Sequence, residues 1–262
     1  MYDSKRLLPV LLAWILILGA ERSAPAQSTV TALFSHVAIG GGFTTTFTLL
    51  NTGGSVLTGN LILTAQDGTP LTAAFTGPSG FQANAASVPL NIPIGGTQFW
   101  TASAPGSNDP QKAGWARVES SGGTLGGVAT FQLTSGGNLL TIAGVLSSDP
   151  VQFATIPVDD NLDQNRYTGY AVANPGTDTL SIKVQTVNAD GSRGTTLTAI
   201  PLAPGHQKAT FLFQDPAAGR EFQGSVVLIE LNGKKFSVVA LVQNQGLYTA
   251  IPVIPSKAPA IN

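Results

Sequence analysis

An internal repeat constrains the fold of this chain more than any other feature of its sequence. Three pairs of stretches match in the same order: FTLLNTG (47–53) with YAVANPG (170–176), the Asp-Gly pairs at 67–68 and 190–191, and GWARV (114–118) with GSVVL (224–228). Because the order is kept while the offset falls only from 123 to 110 residues, the sequence predicts two copies of one folding unit.

Within each copy the apolar residues follow the period of a β-strand. Residues 180–185 (LSIKVQ) alternate between apolar and polar side chains, as in a sheet with one face in water. The Asn-Gly pair at 232–233, like the two Asp-Gly pairs, predicts a two-residue β-hairpin. We expect about seven or eight short strands per copy. The sequence therefore predicts an all-β chain of two tandem immunoglobulin-like antiparallel β-sandwich domains.

The N-terminal segment predicts export. Lys5 and Arg6 precede an apolar run at 7–20, and Ala-Pro-Ala at 24–26 supplies the small residues of a signal-peptidase site. The apolar run is shorter than the roughly 20 residues of a membrane-spanning helix. We therefore expect cleavage after Ala26, and an uncleaved N-terminal anchor is the alternative.

The predicted division of the chain follows from the signal and the repeat. It consists of a signal peptide at 1–26, a first β-sandwich domain at 27–158 and a second at 159–262, with a linker at about 159–165. The mature chain has no other long apolar run, so we expect no membrane span after cleavage. The protein is expected outside the cell or at its surface, with the periplasm as the alternative.

Composition excludes several classes of function. Charged residues make up 10% of the chain, its net charge is −1, and Lys234-Lys235 is the longest basic run. A nucleic-acid partner is therefore not expected, because such binding requires clustered basic side chains. The chain contains no cysteine, which excludes disulfides and thiolate metal sites.

The predicted linker contains the one candidate metal site. Oxygen ligands recur at Asp159, Asn161, Asp163 and Asn165, the spacing of the first half of a calcium loop. The segment lacks the glycine and the bidentate Glu that complete such a loop, and the alternative is a polar linker whose side chains cap turns. A melting temperature that millimolar calcium leaves unchanged would exclude the site. No other cofactor is predicted.

No group of side chains predicts catalysis. His36 and His206 lie in different copies, and the G-x-S-x-G motif of a serine nucleophile is absent. Glu119 and Glu230 occupy equivalent strands and are expected on faces in water. We therefore predict that the protein is not an enzyme.

Aromatic side chains are the candidates for a sugar-stacking surface. Trp115 alternates with Arg117 and is expected to pack in a core. Trp100 follows Phe99, so one of the two faces outward, and Trp100 is the better candidate for the surface.

Four segments resemble a known family: GGGFTTTFTLLN (40–51), GWARV (114–118), TGYAVANP (168–175) and FQGSVV (222–227). They are similar to segments of an uncharacterised family of secreted tandem β-sandwich proteins from acidobacteria-like environmental bacteria. The resemblance covers essentially the whole mature chain. It implies the fold and the compartment, and it implies no activity and no functional residues.

Together these features predict a secreted or cell-surface, non-catalytic protein with a structural, adhesive or ligand-binding role. Its partner is expected to be an extracellular protein or a polysaccharide. The alternative is a carbohydrate-active enzyme, which would release products, or a carbohydrate-binding accessory module. Self-association through edge strands is a further possibility.

Overall fold

The structure is a computed structural model that describes residues 29–256, so the predicted signal peptide lies outside the described residues. The described chain consists of 20 β-strands and three short 3-10 turns, without an α-helix, and every strand pairing is antiparallel. The all-β prediction is confirmed. Within this part of the chain, no helix has the length and apolar character needed to cross a membrane.

The first half of the described chain forms two sheets that pack face to face. Its strands are β1 (Thr29–Ile39), β2 (Phe43–Asn51), β3 (Leu57–Ala65), β4 (Ala73–Thr76), β5 (Gln82–Ala85), β6 (Ser87–Ile92), β7 (Thr97–Ser103), β8 (Lys112–Ser121), β9 (Leu125–Ser135) and β10 (Asn138–Leu146). The sheet orders are β1-β8-β3-β6 and β10-β9-β2-β7-β4-β5. Buried side chains from both sheets, including Phe34 and Phe47, form one core between them.

The second half forms one folded sheet of ten strands. They are β11 (Phe153–Asn161), β12 (Arg166–Ala173), β13 (Leu180–Asn188), β14 (Arg193–Thr196), β15 (Ile200–Leu202), β16 (Gln207–Phe211), β17 (Glu221–Glu230), β18 (Ser237–Asn244), β19 (Leu247–Ile251) and β20 (Ile254–Pro255). Strands β11 and β12 pair only at Asn161 and Arg166, so the sheet bends there. Ile156 on β11 and Val172 on β12 belong to one core, which shows that the two parts face each other.

The strand order of the first half recurs in the second half. The order β1-β8-β3-β6 reappears as β11-β17-β13, with β15 paired to β13, and β10-β9-β2-β7 reappears as β19-β18-β12-β16. The matching segments 47–53 and 170–176 begin on the equivalent strands β2 and β12. The sequence matches at 67–68 and 190–191 are the turns that follow the equivalent strands β3 and β13.

The repeated Asn-x-Gly turn has the same hydrogen bonds in both halves. Asn51 is fully buried, and its Nδ2 donates to the carbonyl oxygens of Ser55, Ile92 and Pro93 at 2.8–3.2 Å. Its Oδ1 accepts from the backbone N–H of Gly53 at 3.0 Å. The side chain therefore ties two neighbouring turns together at one end of the sandwich.

Asn174 plays the same part in the second half. Its Nδ2 donates to the carbonyl oxygens of Asp178 and Leu202 at 2.8 and 2.9 Å, and its Oδ1 accepts from Gly176 N at 3.0 Å. The match between the two Asn-x-Gly segments thus reflects a shared buried amide and not only a shared turn.

The predicted linker is corrected by the strand pairing. Strand β11 pairs with β17 along its whole length, from Phe153 opposite Ile229 to Asn161 opposite Glu221. Residues 159–161 therefore belong to a strand of the second half, and 162–165 form the turn into β12. The stretch 155–158, which the predicted boundary places at the end of the first domain, therefore lies within β11 and pairs with the second half.

The predicted hairpin at 232–233 is also corrected. Strand β17, before this Asn-Gly pair, is bonded to β11 and β13, whereas β18, after it, is bonded to β12 and β19. The turn therefore carries the chain from one layer to the other. Glu230 holds it: this carboxylate is buried and accepts from the backbone N–H groups of Ser181, Asn232 and Lys234. The expectation that Glu230 lies on a face in water is wrong.

The two halves are packed against each other. Ala171 and Val239, on the outer face of the second half, belong to the core of the first half. Trp115 is buried at this junction, where its Nε1 donates to Gly205 O at 2.7 Å. Gln207 Nε2 donates to Ser35 O at 3.2 Å. Trp115 therefore packs in a core, as the sequence predicts, and this core joins the halves.

Two edge strands also meet at the junction. Strands β10 and β19, the outermost strands of their sheets, lie against each other. Tyr248 N donates to the buried Oγ1 of Thr141 at 2.8 Å. Each of these edges is thus covered by the other half.

Candidate binding cleft

A cleft of about 350 Å³ opens beside the junction of the two halves. The first half contributes His36 at the end of β1, Phe43 at the start of β2 and Phe131 on β9. The second half contributes the outer face of the layer formed by β16, β12, β18 and β19. Because both halves line the cleft, its shape depends on their packing.

Small residues on β12 create the wall on the side of the second half. Tyr170 and Val172 point into the core, which turns Gly169 and Ala171 toward the first half. A Cβ on Gly169 would lie 3.0–3.1 Å from the ring of Phe211, so the absence of a side chain allows this ring to lie across β12. Phe211 also stacks on Phe213, with ring centroids 5.7 Å apart.

Aromatic rings dominate the lining of the cleft. The imidazole of His36 meets the ring of Phe131 edge-on, with centroids 5.4 Å apart and an interplanar angle of 83°. The other aromatic rings of the lining belong to Phe43, Phe211 and Tyr248. Rings arranged in this way offer apolar faces to a ligand that enters the cleft.

Carboxamides form the polar part of the lining. Gln66, Gln111 and Gln214 are exposed at the rim. Gln214 Oε1 accepts from Thr210 Oγ1 and from Phe211 N, both at 2.9 Å. These bonds fix the side chain of Gln214 and leave its Nε2 group as a donor for a ligand.

The cleft is electrically neutral. Among the described residues that line it, none is Asp, Glu, Lys or Arg. Burial lowers the pKa of His36 to about 4, so its imidazole is neutral at neutral pH. Burial raises the pKa of Tyr170, with a smaller contribution from Asp215, and burial also raises the pKa of Tyr248. Both phenols therefore keep their protons.

The proposed calcium ligands lie outside the cleft, at the bend between β11 and β12. The two carboxylates among them form ion pairs with arginines. Asp159 Oδ1 accepts from Arg166 Nη2 at 2.8 Å and from Gln223 Nε2 at 2.9 Å. Asp163 Oδ1 accepts from Arg220 Nη2 at 2.6 Å. Each carboxylate therefore already pairs with a positively charged side chain, as it would pair with a bound cation.

The two asparagines of the proposed site also have local partners. Asn161 Oδ1 caps the 3-10 turn by accepting from Gln164 N at 2.9 Å. Asn165 adopts the left-handed conformation (φ 53°) at the end of this turn, and its Oδ1 accepts from Tyr167 Oη at 2.8 Å. Within residues 29–256, no three His, Asp or Glu side chains are grouped so as to hold a metal ion.

The two histidines have different surroundings. His36 lines the cleft, with Nδ1 3.4 Å from Gln207 Nε2. His206 lies outside that lining, next to Gly68, with Nδ1 3.1 Å from Pro204 O. The expectation for the Phe99-Trp100 pair is wrong, because Trp100 is buried (3% exposed) and Phe99 is exposed (60%).

Comparison with known proteins gave no match to a family model, to a curated protein or to a solved structure. Sequence reasoning missed the cleft, although one signal for it was present. The outward residues of β12 are Gly169 and Ala171, whereas the equivalent residues of β2 are Thr46 and Thr48.

Proposed function

We propose that this chain is an exported, non-catalytic ligand-binding protein, whose cleft between the two halves holds a small uncharged ligand. The observation that carries the proposal is the combination of aromatic rings, carboxamides and no charged side chain in the described lining. A site of this kind favours a ligand with both apolar surface and hydrogen-bonding groups, because a charged ligand would find no partner to replace its water.

We infer that the two halves are two tandem immunoglobulin-like domains. The recurring strand order, the two cores and the shared buried Asn support this division. The signal-peptide pattern at 1–26 supports export to the cell surface or exterior. A non-catalytic role is supported by the lining, in which no carboxylate stands near the neutral His36 to form an acid–base pair.

The uncharged fluorescent dye Nile red tests the proposed cleft. We expect its emission to rise and shift to shorter wavelength on binding the mature protein, and we expect Phe43→Ala and Phe211→Ala each to weaken this binding about tenfold. Phe99→Ala, which removes an exposed ring outside the cleft, is the matched control. Dye binding that neither cleft variant changes would contradict the proposal, as would release of reducing sugar from any polysaccharide by the wild-type protein.

A further inference from the structure

The six-stranded sheet of the first half contains no charged residue. None of β2, β4, β5, β7, β9 and β10 includes an Asp, Glu, Lys or Arg. Other surfaces of the same molecule do carry charge: Arg117 and Glu119 lie on the opposite sheet of the first half, and Lys183 lies on β13. The absence of charge is therefore specific to this sheet.

The outer face of this sheet presents a regular array of hydroxyl groups. Thr46 and Thr48 alternate with the buried side chains of β2. Thr46 is flanked by Thr101 on β7 and by Thr130 on β9, and its Oγ1 lies 3.0 Å from Thr101 Oγ1. Neighbouring strands are about 4.8 Å apart, so these hydroxyls repeat at short intervals along a row. We call this surface the threonine face.

Exposed apolar groups accompany the hydroxyls. Phe99 on β7 pairs with Thr48 and is 60% exposed. Ile142 and Leu146 on β10 are 48% and 74% exposed. The threonine face thus combines hydrogen-bonding groups with apolar surface and a free aromatic ring.

In the second half the equivalent face is covered by protein, and it carries different residue types. The positions equivalent to Thr46 and Thr48 are Gly169 and Ala171, and the position equivalent to Thr130 is Leu241. These small and apolar residues pack against the first half. The threonine face has hydroxyl groups at the positions where the covered face has small or apolar residues. Its composition therefore does not fit a second surface that packs against protein.

We propose that the threonine face binds an extended, uncharged polysaccharide. Its hydroxyl groups can exchange hydrogen bonds with sugar hydroxyls, and the ring of Phe99 can stack on a sugar ring. The lack of Lys and Arg excludes attraction to an anionic polymer. The face is separate from the cleft, so this proposal stands independently of the cleft ligand.

Depletion of the full mature protein by microcrystalline cellulose and by chitin tests the proposal. We expect at least one of these neutral polysaccharides to retain the wild-type protein, and an anionic alginate gel not to. The double variant Thr46→Val/Thr101→Val keeps the shape and the strand preference while it removes two hydroxyls, and we expect it to bind about tenfold more weakly. Thr46→Lys should abolish retention.

The matched control is Asn60→Lys, which adds the same charge to an exposed position of the opposite sheet. It should bind like the wild-type protein. Circular dichroism spectra and melting temperatures close to those of the wild-type protein should first establish that every variant is folded. Failure of both polysaccharides to retain the wild-type protein would overturn the proposal. So would equal retention of the double valine variant, or a dimer in sedimentation analysis that Thr46→Lys dissociates.

Discussion

At the scale of single residues, two polar side chains, one buried and one partly buried, determine much of the behaviour we expect. Asn174 is buried and donates to two backbone carbonyls, and its bond to Leu202 O is buried as well. His36 sits in the lining of the cleft, against the ring of Phe131 and the amide of Gln207. Asn174 keeps backbone carbonyl groups hydrogen-bonded, and His36 is uncharged at neutral pH because its pKa is lowered.

Asn174→Asp should strongly destabilise the protein. The substitution preserves size but replaces a donor that serves Asp178 O and Leu202 O with a carboxylate that repels both oxygens. We expect a loss of about 3 kcal/mol in the free energy of unfolding, measured by urea denaturation at pH 7. Asn84→Asp makes the same change at an exposed position of β5 and should have little effect. Similar values for the two variants would contradict this role of Asn174.

The stability of the protein should fall on mild acidification because of His36. Its pKa is about 4 in the folded protein and 6.5 ordinarily, so the unfolded chain takes up a proton at higher pH than the folded chain does. The contribution of His36 is complete above pH 6.5, is lost as the pH falls toward 4, and amounts to at most about 3 kcal/mol. Urea denaturation between pH 7 and pH 4 should show this slope in the wild-type protein and a smaller slope in His36→Gln.

At the scale of elements, equivalent strands approach each other equally closely in both halves. Gly114 on β8 lies opposite Ala65 on β3, and Gly224 on β17 lies opposite Asn188 on β13. A Cβ on either glycine would overlap a carbonyl oxygen of the neighbouring strand, Thr64 O or Val187 O. The sequence match between these glycines therefore has a steric cause.

Gly114→Ala should disrupt the pairing of β3 with β8. The added methyl group has no free space, so the strands must separate, at a cost of about 1–3 kcal/mol in the free energy of unfolding. Gly126→Ala on β9 is the control, because no atom lies within 4 Å of a Cβ placed there. Chemical denaturation of both variants checks the prediction, which would be wrong if Gly114→Ala were as stable as Gly126→Ala.

Local patterns predicted the strands, the repeat and the positions of the Asp-Gly turns, because these depend on neighbours in sequence. The loops have three residues (66–68 and 189–191) and not the predicted two, since Ala65 N donates to Thr69 O and Asn188 N donates to Ser192 O. Local patterns did not predict the partner of a strand. The stretch 155–158 alternates like any other strand, and only its pairing with β17 assigns it to the second half. In the same way, the Asn-Gly pair at 232–233 marks a turn but does not determine whether the chain stays in one layer.

Local patterns did not predict the candidate site, for the same reason. Which member of the Phe99-Trp100 pair faces water depends on the register of β7 against β2, where Trp100 lies opposite the buried Phe47. The cleft needs Phe43 and Phe211 together, and these residues are far apart in sequence. The partners of Asp159 and Asp163 are likewise arginines outside the predicted loop.

At the scale of the whole molecule, the halves should unfold together. Trp115, Ala171 and Val239 are buried where the halves meet, so separating them would expose apolar surface in both. We expect a single transition in scanning calorimetry, and two separate transitions would contradict a coupled structure.

Val239→Lys should lower the melting temperature far more than Val128→Lys, which places the same charge at the equivalent position of the uncovered face.

The contact between β10 and β19 limits how this protein can assemble. An open strand edge is a template on which another chain can add a strand. Here the two edges nearest the middle of the molecule shield each other, and Thr141 anchors the contact through Tyr248 N. Strands such as β5 and β14, at the opposite ends of their sheets, remain. Any fibre built by strand addition would therefore have to grow from edges such as these, and not from β10 or β19.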